Sequence, residues 1–163
     1  MKIVATDLLQ VLECREAGLR AISDERSLWR YGEGKWSKRE LLGHLIDSAS
    51  NNHQRFVRAA DAGELKFTTY DADAWVARQR YHERAWSELI DLWLQYNRHL
   101  VHVLGQLPES LADVQCDLHF EKPVPLRWVA EDYVDHMNHH LRQIFEEPLT
   151  DYGSYSFIHP DDR

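Results

Sequence analysis

Residues 82–103 read His82-Glu-Arg-Ala-Trp86-Ser-Glu-Leu89-Ile-Asp-Leu-Trp93-Leu-Gln-Tyr96-Asn-Arg-His-Leu100-Val-His-Val103. His82, Trp86, Leu89, Trp93, Tyr96, Leu100 and Val103 succeed one another at alternate steps of four and three. On an α-helix that spacing keeps one stripe turned toward a partner, as in the seam of antiparallel bundles. It predicts a long helix from near Asp73 to just before Pro108, with His82 at the head of a packed seam. Upstream, Glu64–Asp73 has no clear period and reads as a loop. Ser37-Lys-Arg-Glu40 is a capping box, in which the serine hydroxyl accepts the N3 amide proton and the glutamate reaches back to the cap amide. A helix therefore starts at Ser37 and runs to about Ala60 or Ala62, before Gly63.

The remaining segments complete an all-α chain. Leu8, Val11, Leu12, Leu19 and Ile22 keep a helical period between Val4 and Ser23. Residues 109–126 have little periodicity apart from a short extended piece around Val114–Phe120. A last helix runs from about Leu126 to Glu146 and stops before Pro148, as helices do near proline. Thr150–Arg163 reads as irregular. Glycine (7) and proline (5) are scarce, and no repeat or linker divides the 163 residues, so the expectation is one domain, 1–163, folded as a four-helix bundle with long connections.

Charge and composition narrow the function classes. Asp+Glu number 27 against 19 Lys+Arg, a formal charge of −8, which disfavours duplex DNA and anionic membranes as partners. No apolar run approaches the roughly 18–20 residues of a membrane span, and Met1–Gln10 has no signal-peptide core. Two cysteines, Cys14 and Cys116, are too few for a disulfide scaffold, so a cytoplasmic location is expected.

The unusual component is histidine, ten in all. In Asp135-His136-Met-Asn-His139-His140-Leu141-Arg-Gln143, His136 and His140 stand one helical turn apart, the spacing that lets two imidazoles share an ion. His139 is also close in sequence. With roughly 100° per residue, His140 turns toward the apolar arc of Tyr133, Met137, Leu141 and Ile144, and His139 turns toward Asp135 and solvent. On the other helix, His44 borders the arc of Leu41, Leu45, Ala49 and Phe56, and its own stripe continues through Ser48, Asn51 and Arg55. Either polar stripe alone is what a solvated helix margin looks like; imidazoles at the core margin of two helices point to one shared pocket. The zinc-protease HExxH pattern fails at Met137, the di-iron pattern fails at Tyr133, and no glycine cluster can cradle a phosphate.

Trp36-Ser37, Glu40-Leu-Leu-Gly-His44-Leu-Ile-Asp-Ser-Ala49, Asn51-Asn52 and Arg55-Phe56 resemble the second-helix signature of the DinB-like (DinB/YfiT) superfamily. His136-x-x-x-His140-Leu141-x-Gln143-Ile144 is similar to its last helix, and Tyr81 with Trp86-x-x-Leu89-Ile90-x-Leu92-Trp93-x-x-Tyr96-Asn97 to its third. The resemblance implies one divalent metal ion, zinc or nickel, held by His44, His136 and His140. It also implies a thiol S-transferase or isomerase activity, in which a low-molecular-weight thiol attacks a small-molecule electrophile, and a homodimer as in many relatives. The alternative is a non-catalytic metal- or ligand-binding bundle serving a stress response. Asp47, Asp132 and Asp135 are candidates to orient the metal-bound imidazoles, and Asn51 and Arg55 to touch substrate.

Overall fold

The computed structural model describes residues 1–59, 61 and 65–148. In chain order it contains α1 (Lys2–Ala21), α2 (Lys38–Arg58), a short β1 (Leu65–Lys66), α3 (Ala72–Gln79), α4 (Trp86–Gln106), β2 (Gln115–Asp117), β3 (Val124–Pro125) and α5 (Leu126–Phe145). The four long helices form the bundle. α1 and α2 each pack on both α4 and α5, so α1 lies diagonally across from α2 and α4 across from α5. Helices joined directly in sequence are therefore separated in space at the α1–α2 step, which the connection through residues 22–37 makes possible.

Local chemistry sets the helix ends. The capping box forms as expected: Ser37 Oγ accepts from the Glu40 amide at 3.3 Å, and the Ser37 amide donates to Glu40 Oε2 at 2.7 Å. α5 closes at Glu146, which takes the left-handed conformation (φ 58°) two residues before Pro148. The extended piece around residues 114–120 is β2, the middle strand of a three-stranded sheet, parallel to β1 and antiparallel to β3. The tail, Thr150–Arg163, lies outside the described residues.

Two expectations are corrected. The Glu64–Asp73 loop holds β1 and already enters α3 at Ala72. The helix expected to run unbroken from Asp73 stops at Gln79; Arg80 is left-handed (φ 52°), Tyr81–Glu83 form a 3₁₀ turn, and α4 starts afresh at Trp86. A tertiary anchor overrides the seam here. Tyr81 is buried, with its ring so close to Gly43 that a β-carbon there would lie 2.1 Å from it, and its hydroxyl donates to Asp47 at 2.7 Å. That grip rotates residues 81–83 out of phase with α4, and His82 ends exposed at the surface rather than heading a seam. Within α4 the packed stripe is Trp86, Leu89, Ile90, Trp93, Leu94, Leu100 and Leu104, with Tyr96 and Val103 only half-buried. Asn97 is fully buried on the same face; its amide donates to the Trp93 carbonyl, and its oxygen accepts from Tyr133 of α5, a polar contact across the bundle diagonal.

Among the described residues, no helix is long and apolar enough to cross a membrane.

Candidate metal centre

α2 and α5 are neighbours in the bundle, and their facing margins carry the three histidines. His44 sits on the second turn of α2, two turns from the capping box that fixes where the helix begins. His136 and His140 occupy successive turns of α5. All three are buried, His44 to 2% exposure, His136 to 9% and His140 to 1%. The rings converge through Nε2: His136 Nε2 lies 3.1 Å from both His44 Nε2 and His140 Nε2.

The partners of the opposite ring nitrogens bear on whether the cluster fits a cation. His140 Nδ1 is 2.7 Å from Gln143 Oε1, an oxygen that can only accept, so Nδ1 carries the proton and Nε2 presents a lone pair. His136 Nδ1 is 3.4 Å from Ser48 Oγ, which also accepts from Asn52 Nδ2 at 3.4 Å. Gln143 thus turns the His140 Nε2 lone pair into the cluster, and a His136 ring protonated at Nδ1 toward Ser48 would set a second lone pair 3.1 Å from it, an arrangement that a shared cation would relieve. The spacing also suits a shared ion. Nitrogens about 2.05 Å from a metal stand about 2.9 Å apart at a right angle and about 3.3 Å apart at the tetrahedral angle. The residues present fit a divalent metal, and among the described residues this is the one group of three or more metal-binding side chains so gathered.

A cavity of about 580 Å³ opens from His44 and His140 to the surface. Trp36 forms one wall, its ring centred 4.9 Å from that of His44, and Ala72 and Asp73 at the start of α3 form another. Glu146 and Glu147 stand at the rim, but both are engaged: Glu146 by Lys38 at 2.8 Å and Arg26 at 2.6 Å, Glu147 by Arg15 at 2.6 Å. These partners hold both carboxyls below the usual range. Lys38, itself only 3% exposed, also donates to the Ile144 carbonyl and so ties the end of α5 to the start of α2.

The structure brings His44, His136 and His140 together and leaves His139 half-exposed on the outer side, bonded to Gln143 Nε2 at 3.3 Å. Two of the three carboxylates expected to orient the rings, Asp47 and Asp135, do not take that place. Asp47 turns to Tyr81 and Gln79, and Asp135 is exposed. Gln143 and Ser48 take that role for His140 and His136. Their signal was positional, since Gln143 is three residues after His140 and Ser48 four after His44, but a search for carboxylates passes over an amide and a hydroxyl. Asn51 bonds its own helix at the Asp47 carbonyl, and Arg55 bonds Asn52.

A four-helix bundle with three imidazoles gathered between its second and last long helices defines the class. The chain belongs to the DinB superfamily, whose family model matches residues 8–144. Its fold is similar to that of YfiT from Bacillus subtilis, described as a probable metal-dependent hydrolase with an unusual four-helix bundle topology. The identity is 23%, with 87% of this chain and 84% of that one covered at a TM-score of 0.74. It is also similar to YjoA, a DinB-like protein from the same organism, at 18% identity over 91% of this chain and 96% of that one, with a TM-score of 0.59. No curated protein matches the chain.

Proposed function

We propose that the protein is a metal-dependent enzyme acting on a small molecule, with one divalent ion, zinc or nickel, held by His44, His136 and His140. The observation that carries this is the convergence of three Nε2 atoms, that of His140 turned in as a lone pair, beside a cavity of about 580 Å³. Three imidazoles leave coordination positions open, the pattern of catalytic rather than closed structural sites. When bound, such an ion supplies Lewis acidity that makes a nucleophile available at neutral pH. The chain's own groups do the rest. Gln143 and Ser48 hold the ring tautomers, Trp36 offers a flat apolar wall beside His44 for the substrate, and the bundle core behind the rings excludes water.

The reaction we favour is transfer to or isomerisation by a low-molecular-weight thiol, which the superfamily resemblance implies. The second reading is hydrolysis, favoured by the description of YfiT. Tag-free protein is expected to retain about one divalent ion per chain by elemental analysis, and His44→Ala to retain none; stoichiometric metal in that variant overturns the site. Metal-loaded protein is then mixed with thiols and an electrophile, or with activated esters. Metal-dependent loss of thiol supports transfer, and ester cleavage without thiol supports hydrolysis. Turnover of neither leaves a non-catalytic metal-binding bundle and overturns the enzyme reading.

A further inference from the structure

Two arginines of α2, Arg39 and Arg55, are treated very differently by their surroundings. Arg39 is 5% exposed and spends all five of its N–H donors: Nε on Ser27 Oγ, Nη1 on the His82 and Arg84 carbonyls, and Nη2 on the Asp24 carbonyl and carboxylate. Arg55 is half-buried and uses one, from Nη1 to Asn52 Oδ1 at 3.2 Å. No carboxylate among the described residues stands within ion-pair distance of it. Burial pulls its pKa down, while Tyr70, Asp132 and Cys116 act from further off to favour the charge.

A second cation stands beside it. The Arg58 guanidinium lies 5.2 Å from the centre of the Phe67 ring and that of Arg55 lies 6.0 Å from the same centre. Arg58 is exposed and also has no ion-pair partner among the described residues. In a chain of formal charge −8, where most other arginines reach a carboxylate, these two neighbouring guanidiniums have none within ion-pair distance among the described residues. A desolvated guanidinium with unused donors in a fixed fork matches the oxygens of a carboxylate or phosphate.

We propose that Arg55 and Arg58, braced on Phe67, form a binding position for an oxyanion, a carboxylate or a phosphate group. Arg55 follows His44 by eleven residues, which places it within about 20° on the same face of α2 and about 16 Å further along the axis. The row between them is polar: Ser48 touches His136, Asn52 touches Ser48, and Arg55 touches Asn52. Asp132 lies one turn before His136 on α5 and favours the charge on Arg55. The cavity beside His44 and His140 does not reach this position, and anion binding here does not rest on the metal-dependent reading above.

The test uses the tag-free full chain, with inorganic phosphate and succinate as separate probes at constant ionic strength set with chloride, read by thermal midpoint and calorimetry. Saturable stabilisation by one or both is expected, and which of them acts identifies the group. Arg55→Met should weaken binding about tenfold and Arg58→Met by less, as expected for losing charge-assisted hydrogen bonds. Arg55→Lys, which keeps the charge and loses the fork, should fall between wild type and Arg55→Met. No stabilisation beyond chloride overturns the proposal, as does unaltered affinity in both Arg55→Lys and Arg58→Met, which keeps the test decisive should Arg55→Met fail to fold. Metal content is measured on the same samples. Anion binding without metal overturns the metal centre and leaves this position standing; metal without anion binding does the reverse.

Discussion

Adjacent histidines on α5 have opposite fates because 100° of rotation separates them. His140 is 1% exposed with Nε2 in the cluster, and His139 faces outward. His140→Ala is therefore expected to abolish metal retention and His139→Ala to keep it nearly whole; elemental analysis of the two variants decides, and the opposite result would place the α5 register one residue off. Asp47 supplies a second residue-scale prediction. It is 3% exposed, its Oδ1 accepts from Tyr81 and Gln79, and its Oδ2 has no hydrogen-bond partner among the described residues. Burial outweighs those two bonds and raises its pKa above the ordinary 3.8. A carboxyl that binds its proton more tightly when folded makes stability fall as pH rises from the ordinary value through the raised one. Asp47→Asn keeps an acceptor for Tyr81 and Gln79 and removes the buried charge. It should raise stability at pH 7 by about 1 kcal/mol, with the gain vanishing toward pH 3.8; thermal melts across that range measure it.

At the scale of elements, the break between α3 and α4 is set by packing that no periodicity reveals. Gly43→Ala drives a methyl group into the Tyr81 ring, which must move and surrender its bond to Asp47. A loss of about 1–3 kcal/mol is expected from such overpacking, together with greater protease sensitivity in α3, whose first residues wall the cavity. Ser37→Ala should cost about 1 kcal/mol through loss of the cap; chemical denaturation reads both. The long helices, the capping box and the margin positions of the histidines were legible because each is written in local spacing. What was not legible is of another kind. The left-handed Arg80 exists because Tyr81 meets Gly43 from 38 positions away in sequence, and the polar partners of His136 and His140 are an amide and a hydroxyl whose roles depend on which helix faces which. The rotation of α5 could be read from its own apolar arc; the choice of Gln143 over Asp135 could not, because both flank that arc.

For the whole molecule, the metal and the fold should be coupled. An ion bound to the native cluster and not to the unfolded chain stabilises by an amount set by its concentration over Kd, about 4 kcal/mol at a thousandfold excess. Chelation should therefore lower the thermal midpoint of wild type by several degrees and leave that of His44→Ala unchanged. An equal drop in both would mean that the chelator acts elsewhere.

The two strands of polypeptide that furnish the cluster are 92 residues apart, from His44 to His136. A ribosome adding about 5–20 residues per second takes some seconds to cover that interval, during which His44 has emerged and its partners do not yet exist. On the proposed metal-dependent reading, capture of the ion would mark completion: stalled nascent chains ending before His140 should bind no stoichiometric metal, and chains long enough to expose α5 should acquire it.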